Sequence, residues 1–186
     1  MSRDFRPVFH TIPSRLRSEL PGELRDFQWQ ATTWMAKAWY GNKALHYEIW
    51  VRYHVKVVEL GLHFESDALT NARLLGAFRA RAKQVTRALG GDARIEEWDK
   101  GWTRVWEPLP LENIEDGYSE RIQSRFVDYV KTLEPILRDE LPNDVEWKMA
   151  RPKRATGTRR VTTARRPAAA KRATAGSALR TSRSAR

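Results

Sequence analysis

The sequence predicts an α+β fold, an antiparallel sheet built from two or more hairpins with two long helices packed on one face. Three observations carry this. Residues 46–64 hold two runs in which apolar side chains alternate with period two, and residues 94–107 hold a second hairpin pattern around Asp99, Lys100 and Gly101. Two longer stretches, 66–89 and 116–140, instead place apolar residues at helical spacing. Strands joined by such short turns must pair antiparallel.

In chain order, the first element is a short helix over Ser14 to Leu20, stopped by Pro21 and Gly22. Residues 27–40, FQWQATTWMAKAWY, fit strand or helix, since Trp34, Ala36, Ala38 and Tyr40 alternate while Ala and Met favour helix; the GNK turn at 41–43, leading into the next strand, favours a strand. In that next strand Tyr47, Ile49, Val51 and Tyr53 are apolar at odd positions. In its partner Val58, Leu60, Leu62 and Phe64 are apolar at even positions, so each strand has one face to bury. Ser66 or Asp67 can cap a helix to about Leu89, with Leu69, Ala72, Leu75, Phe78, Ala82, Val85 and Leu89 on one stripe and Gly90–Gly91 as its stop. The second hairpin follows, its Gly101 suited to a left-handed turn position. The last helix covers 116–140 with Tyr118, Ile122, Phe126, Tyr129, Leu133 and Leu137 inward, and Pro135 is expected to kink it or start a new turn.

HYEIWVRYHVKVVELGLHFE, residues 46–65, carries His-x-Glu near its start and again at its end. For one face to be apolar, odd positions of the first strand must sit opposite even positions of the second. One such register places His46 opposite Glu65, Glu48 opposite His63, Arg52 opposite Glu59 and Trp50 over Gly61. The other places His46 opposite His63 and Glu48 opposite Gly61. Three charge-complementary pairs, each worth roughly 0.2–1 kcal/mol, favour the first. Two uses of His46, Glu48, His63 and Glu65 stay open. They are the residue types of a solvated sheet face with cross-strand charge pairs, and equally those of a site for zinc, manganese or iron, or for acid–base work.

In the second hairpin the register that pairs Trp98 with Trp102 also pairs Glu96 with Arg104 and Arg94 with Trp106. Three indoles and two guanidinium groups then share a face, with Ile95 and Val105 on the other. Such a face can stack unpaired bases, and it can equally be a core or partner surface with arginines lying over the rings. Arg79, Lys83 and Arg87, with Arg73 nearby, form a basic stripe on the first long helix; it suits a phosphate backbone or simple solvation.

Several chemistries are excluded. The 186-residue chain has no cysteine, hence no disulfide, thiolate metal site or cysteine nucleophile. ALGGDA lacks the ending of a phosphate-binding loop, no G-x-S-x-G occurs, and no cofactor is implied. There is no signal-type apolar segment and no run of about 18 apolar residues, so no membrane partner and an intracellular, cytoplasmic or nucleoid-associated location are expected.

The charge is sharply partitioned. All 23 acidic residues lie at or before Glu146, so residues 1–147, read as the single globular domain, are close to neutral. Residues 148–186 hold 13 of the 34 Lys and Arg and no carboxylate. They are Lys148, Arg151, Lys153, Arg154, Arg159, Arg160, Arg165, Arg166, Lys171, Arg172, Arg180, Arg183 and Arg186. Without an aromatic residue and nearly without large aliphatic ones, this tail is expected to be disordered. By composition it resembles the tails of linker histones and of some bacterial nucleoid proteins, which implies sequence-independent binding of DNA or RNA. RRVT at 159–162 and RTS at 180–182 place hydroxyls beside arginines, where phosphorylation would lower that affinity. Three functions follow as expectations. The first is a nucleic-acid-associated binding protein, the second a metal-dependent hydrolase or nuclease using the His-x-Glu pairs, and the third a protein-interaction domain with a tethering tail.

Overall fold

The computed structural model of the chain describes residues 4–141. The tail and all 13 of its basic residues lie outside them. Four helices and six strands follow in the order α1 (Arg6–Glu19), β1 (Gln28–Ala31), β2 (Met35–Trp39), β3 (Leu45–Arg52), β4 (Val57–Phe64), α2 (Ala68–Ala80), α3 (Ala82–Leu89), β5 (Arg94–Glu97), β6 (Thr103–Pro110) and α4 (Asp116–Glu140). The strands form one antiparallel sheet ordered β1-β2-β3-β4-β6-β5. The fold is therefore α+β.

The period-two alternation decides which face is covered. Tyr47, Ile49 and Val51 of β3, Val58, Leu60, Leu62 and Phe64 of β4, Val105 of β6 and Ala36 and Ala38 of β2 are all buried in one core. Helix side chains meet them there: Phe126 of α4 packs edge-on against Tyr47 and Trp29, and Phe78 of α2 lies 5.4 Å from Phe64. The six residues expected inward on α4 are all buried, and that helix runs unbroken through Pro135.

Three elements differ from the sequence reading. Helix α1 starts eight residues earlier than expected, at Arg6. Pro7 falls in its first turn, where a missing N–H costs nothing, and the loss of a bond at Pro13 is offset by burying Val8, Phe9, Ile12 and Leu16. The single strand over 27–40 is a hairpin, because Thr32 closes a turn on Met35: its backbone N–H donates to the Met35 carbonyl (2.7 Å) and its hydroxyl accepts from the Met35 N–H (3.1 Å). The helix from Asp67 breaks at Arg81 (φ −100°, ψ 14°) into α2 and α3. Leu75, Phe78, Val85 and Leu89 of the expected stripe are buried, but in the first turns of α2 Leu69 and Ala72 are exposed whereas Asn71 and Leu74 are buried. Asp67 is the cap, accepting from the N–H groups of Leu69 and Thr70.

One acid sits deep among the helices. Glu134 of α4 is fully buried, accepting from the Tyr47 hydroxyl (3.0 Å) and from Arg138 Nε (2.9 Å). Burial pushes its carboxyl above the usual range, against the opposing pull of Arg138 and the Tyr47 hydrogen bond. Because the folded chain holds this proton to higher pH than the unfolded chain, its stabilising contribution is complete at low pH and falls as pH rises through the folded pKa. Glu134→Gln keeps hydrogen-bonding capacity toward both neighbours. It is expected to melt above the natural chain at pH 7 and to converge with it toward about pH 4. A lower melting temperature at pH 7 would mean that the Arg138 pair outweighs the burial.

A candidate site on the face opposite the helices

Residues of the opposite parity point away from the core: Lys37 on β2, His46, Glu48, Trp50 and Arg52 on β3, Glu59 and His63 on β4, Arg104 and Trp106 on β6. The β3–β4 register that places them differs from the one favoured on charge pairing. His46 lies opposite His63, Glu48 opposite Gly61, Trp50 opposite Glu59 and Arg52 opposite Val57. Residues 53–56 make the loop, with Lys56 in the left-handed region at φ 54°. Arg52 still reaches Glu59 diagonally at 2.5 Å, so a long side chain forms its ion pair in either register and the charge count could not discriminate between them.

This face is also not solvated around the His-x-Glu pairs. His46, Glu48, Glu59 and His63 are only 1–3% exposed. Trp98, from the β5–β6 turn, covers His63, packing edge-on against it at 5.3 Å and against Trp50 at 6.3 Å. The reading of these residues as a solvated hairpin face is overturned, because it counted two strands and left out β6 and β5, which extend the sheet beside β4 and bring Trp98 over His63.

Under that cover lies a compact polar cluster. The two imidazoles stack with centroids 5.6 Å apart. The Lys37 ammonium stands 2.7 Å from Glu48 Oε2 and 2.9 Å from His46 Nε2. His46 Nδ1 lies 2.9 Å from the Lys43 carbonyl. That geometry assigns the tautomer: Nδ1–H donates to Lys43, and Nε2 is the acceptor for the ammonium. Glu65 Oε1 lies 3.9 Å from His46 Nε2 and 3.8 Å from His63 Nδ1. Burial acts to raise the Glu48 carboxyl, but its neighbours His46, His63 and the Lys37 ammonium outweigh it and hold the group down at about 2. Glu65 is lowered by the same neighbours against its own burial. Lys37, which joins the four expected residues, had a faint signal in the sequence as the one cation inside the otherwise apolar MAKAW.

Beside the cluster the second hairpin forms in the expected register, Arg94 opposite Trp106, Ile95 opposite Val105 and Glu96 opposite Arg104. Gly101 takes the left-handed turn position at φ 77°, and Lys100 joins it at φ 55°. Arg104 and Trp106 are buried, the guanidinium 3.7 Å from the Trp106 ring centroid and 4.9 Å from that of Trp98. Arg104 donates to Glu59 (3.0 Å) and to Glu96 (2.8 Å), and Trp106 Nε1 donates to Glu96 (2.6 Å). Their polar atoms are thus spent within the protein, while Arg94 stays exposed over Trp106. What remains accessible is a row of indoles, Trp34–Trp50–Trp98–Trp102, with successive centroids 6.2, 6.3 and 5.9 Å apart. Trp34 is 43% exposed at one end, and Lys100 lies over Trp102 at the other. Arg73, Arg79, Lys83 and Arg87 are exposed on α2 and α3, away from this row in sequence and element, with Arg73 Nη2 donating to the Glu140 carbonyl.

Two cavities of about 420 and 390 Å³ lie elsewhere, where Tyr118 and Arg121 of α4 meet residues 109–113. No imidazole lines either one. Among the described residues no helix is long and apolar enough to cross a membrane. Comparison with known proteins finds nothing similar: no family model, no curated protein and no solved structure matches this chain.

Proposed function

We propose that this protein binds nucleic acid without sequence preference, the tail supplying electrostatic affinity and the globular body a stacking surface for unpaired bases. The observation that carries the reading is the partition of charge: 13 positive side chains and no carboxylate in residues 148–186. Folding gives no reason for such a segment, whereas a polyanion gains from it by releasing counterions. The row of four indoles supports the second half, since aromatic side chains on an uncovered sheet face stack bases of any identity at about 1–3 kcal/mol per base. Of the body's arginines on this face, Arg52 and Arg104 are engaged with Glu59 and Glu96, which leaves Arg94, exposed over Trp106. Most of the attraction to phosphate is assigned to the tail.

The test is binding of a single-stranded oligonucleotide and a duplex of equal length across a salt series, using the full chain. Replacing Arg159, Arg160, Arg165 and Arg166 together with Gln is expected to flatten the slope of log K against log salt by up to about 3. Trp34→Ala removes an exposed ring at the edge of the sheet. It is expected to weaken single-strand binding by about 1–3 kcal/mol while leaving duplex binding unchanged. Salt-independent binding, or an unaltered slope in the tail variant, would remove the tail from the function. Equal single-strand affinity in Trp34→Ala would remove the indole row.

A further inference from the structure

The polar cluster beneath Trp50 and Trp98 has a chemistry of its own. We infer that His46, His63 and Glu65 form a binding site for a divalent transition-metal ion of the zinc class, with the Lys37 ammonium as the resident cation that the metal displaces.

Four observations lead there. One donor atom from each of His46, His63 and Glu65 lies within 4.8 Å of the other two, and the two His-to-carboxylate separations are 3.9 and 3.8 Å. Around a tetrahedral zinc, with bonds of about 2.0–2.1 Å, donors stand roughly 3.3 Å apart. The three groups therefore need to close by about an ångström, within the reach of side-chain rotation. Second, His46 is already oriented as a ligand. Its Nδ1–H is held by the Lys43 carbonyl, which leaves the Nε2 lone pair aimed into the cluster, the arrangement that fixes metal-binding imidazoles.

Third, His63 is 1% exposed and its Nδ1 is buried with no hydrogen-bond partner among the described residues. That nitrogen faces a carboxylate across 3.8 Å, and buried polar atoms rarely stay unsatisfied. Fourth, a cation already stands in the cluster, since the Lys37 ammonium contacts Glu48 and His46 at 2.7 and 2.9 Å. The Glu48 and Glu65 carboxylates and one ammonium leave the cluster one negative charge in excess when the imidazoles are neutral. A divalent ion in place of the ammonium balances both carboxylates. Lys37 has somewhere to go, because its side chain is 20% exposed and lines a cavity of about 160 Å³ with Gln30, Thr32, Met35 and Lys43.

The competition between lysine and metal separates this proposal from a merely structural polar cluster. The full chain, stripped with a chelator, is titrated with zinc by calorimetry and with cobalt by absorption spectroscopy. The natural protein is expected to bind one equivalent. Lys37→Met keeps the length of the side chain and removes the competing charge; it is expected to bind at least tenfold tighter. His63→Ala is expected to lose the stoichiometric binding and the tetrahedral cobalt bands. Should His63→Ala fail to fold, Glu65→Gln, at the exposed rim of the cluster, is expected to weaken binding at least tenfold with the fold retained. Absence of binding by both the natural chain and Lys37→Met overturns the site. Binding that Lys37→Met leaves unchanged overturns the displacement, and binding that survives both His63→Ala and Glu65→Gln places the metal elsewhere.

Discussion

Arg125→Met is expected to cost about 3–5 kcal/mol, the range for removing one partner from a buried ion pair. Arg125 projects from α4 onto the sheet, where its Nε lies 2.5 Å from Glu107 Oε1 and its Nη2 lies 2.6 Å from Oε2. The same Nη2 donates to the carbonyl of Leu89, the last residue of α3. One guanidinium therefore holds a strand, a helix end and a helix together. Glu107 itself is only 1% exposed, on the helix-covered face of β6. Methionine fills much of the arginine stem's volume but offers no donor, so the Glu107 carboxylate would be left buried and uncompensated and the α3 terminus would lose its side-chain partner. Urea denaturation of Arg125→Met checks the size of the loss. The double variant Glu107→Leu/Arg125→Met is expected to recover most of it, since a matched apolar pair carries no stranded charge. A loss below about 1 kcal/mol for Arg125→Met would show that the pair is solvated in solution.

Gly61 is the second position with a large expected effect. It lies on β4 between Glu48 of β3 and Trp106 of β6. A β-carbon there would stand 2.6 Å from both Trp106 Cβ and the Val105 carbonyl oxygen and 2.8 Å from Trp106 Cα. These are atoms of the neighbouring strand's backbone and first side-chain carbon, so no rotamer change relieves the overlap. The β4–β6 pair would have to separate in the middle of the sheet. Gly61→Ala is expected to exceed the usual cost of an overpacked core, about 1–3 kcal/mol, and Gly61→Val to exceed it further. Gly76 is the control. It lies within α2, and an added β-carbon there has nothing within 4 Å. Gly76→Ala is expected to stabilise by about 0.4–1 kcal/mol through the unfolded chain. Thermal melts of the three variants check the contrast. Equal effects at positions 61 and 76 would mean that β4 and β6 lie further apart than described.

Both positions illustrate where the sequence was silent. Glu107 and Arg125 are 18 residues apart on different elements, and nothing local marks them as partners. Gly61 was legible only as a residue that something large should cover. Trp50 was expected to do so, whereas the closest approach comes from Trp106 on a strand 45 residues downstream. The cluster shows the same division. His46, Glu48, His63 and Glu65 could be selected from their repeated spacing, and their common face followed from parity. Lys37 carried only a faint signal, because its strand was merged with β1, and the break at Thr32 that sets β2 in register with β3 rests on a side-chain turn that propensity does not announce.

What the sequence by itself determined was therefore periodic and local. Alternation assigned the two faces of β3 and β4, three-residue turn chemistry assigned the β5–β6 register, the stripe of α4 was read over its full length, and composition separated a near-neutral body from a polycationic tail. These follow from constraints that act within a few residues, so the chain states them wherever it is read. The tertiary structure alone decided the register of His46 opposite His63 and the burial of that face. Arg52 can reach Glu59 from either register, which makes pairwise charge an ambiguous guide, and a face is wet or dry according to what lies across it. Trp98 comes from a hairpin more than thirty residues beyond His63, and its place over that ring is set by the order of strands in the sheet rather than by any pattern along the chain.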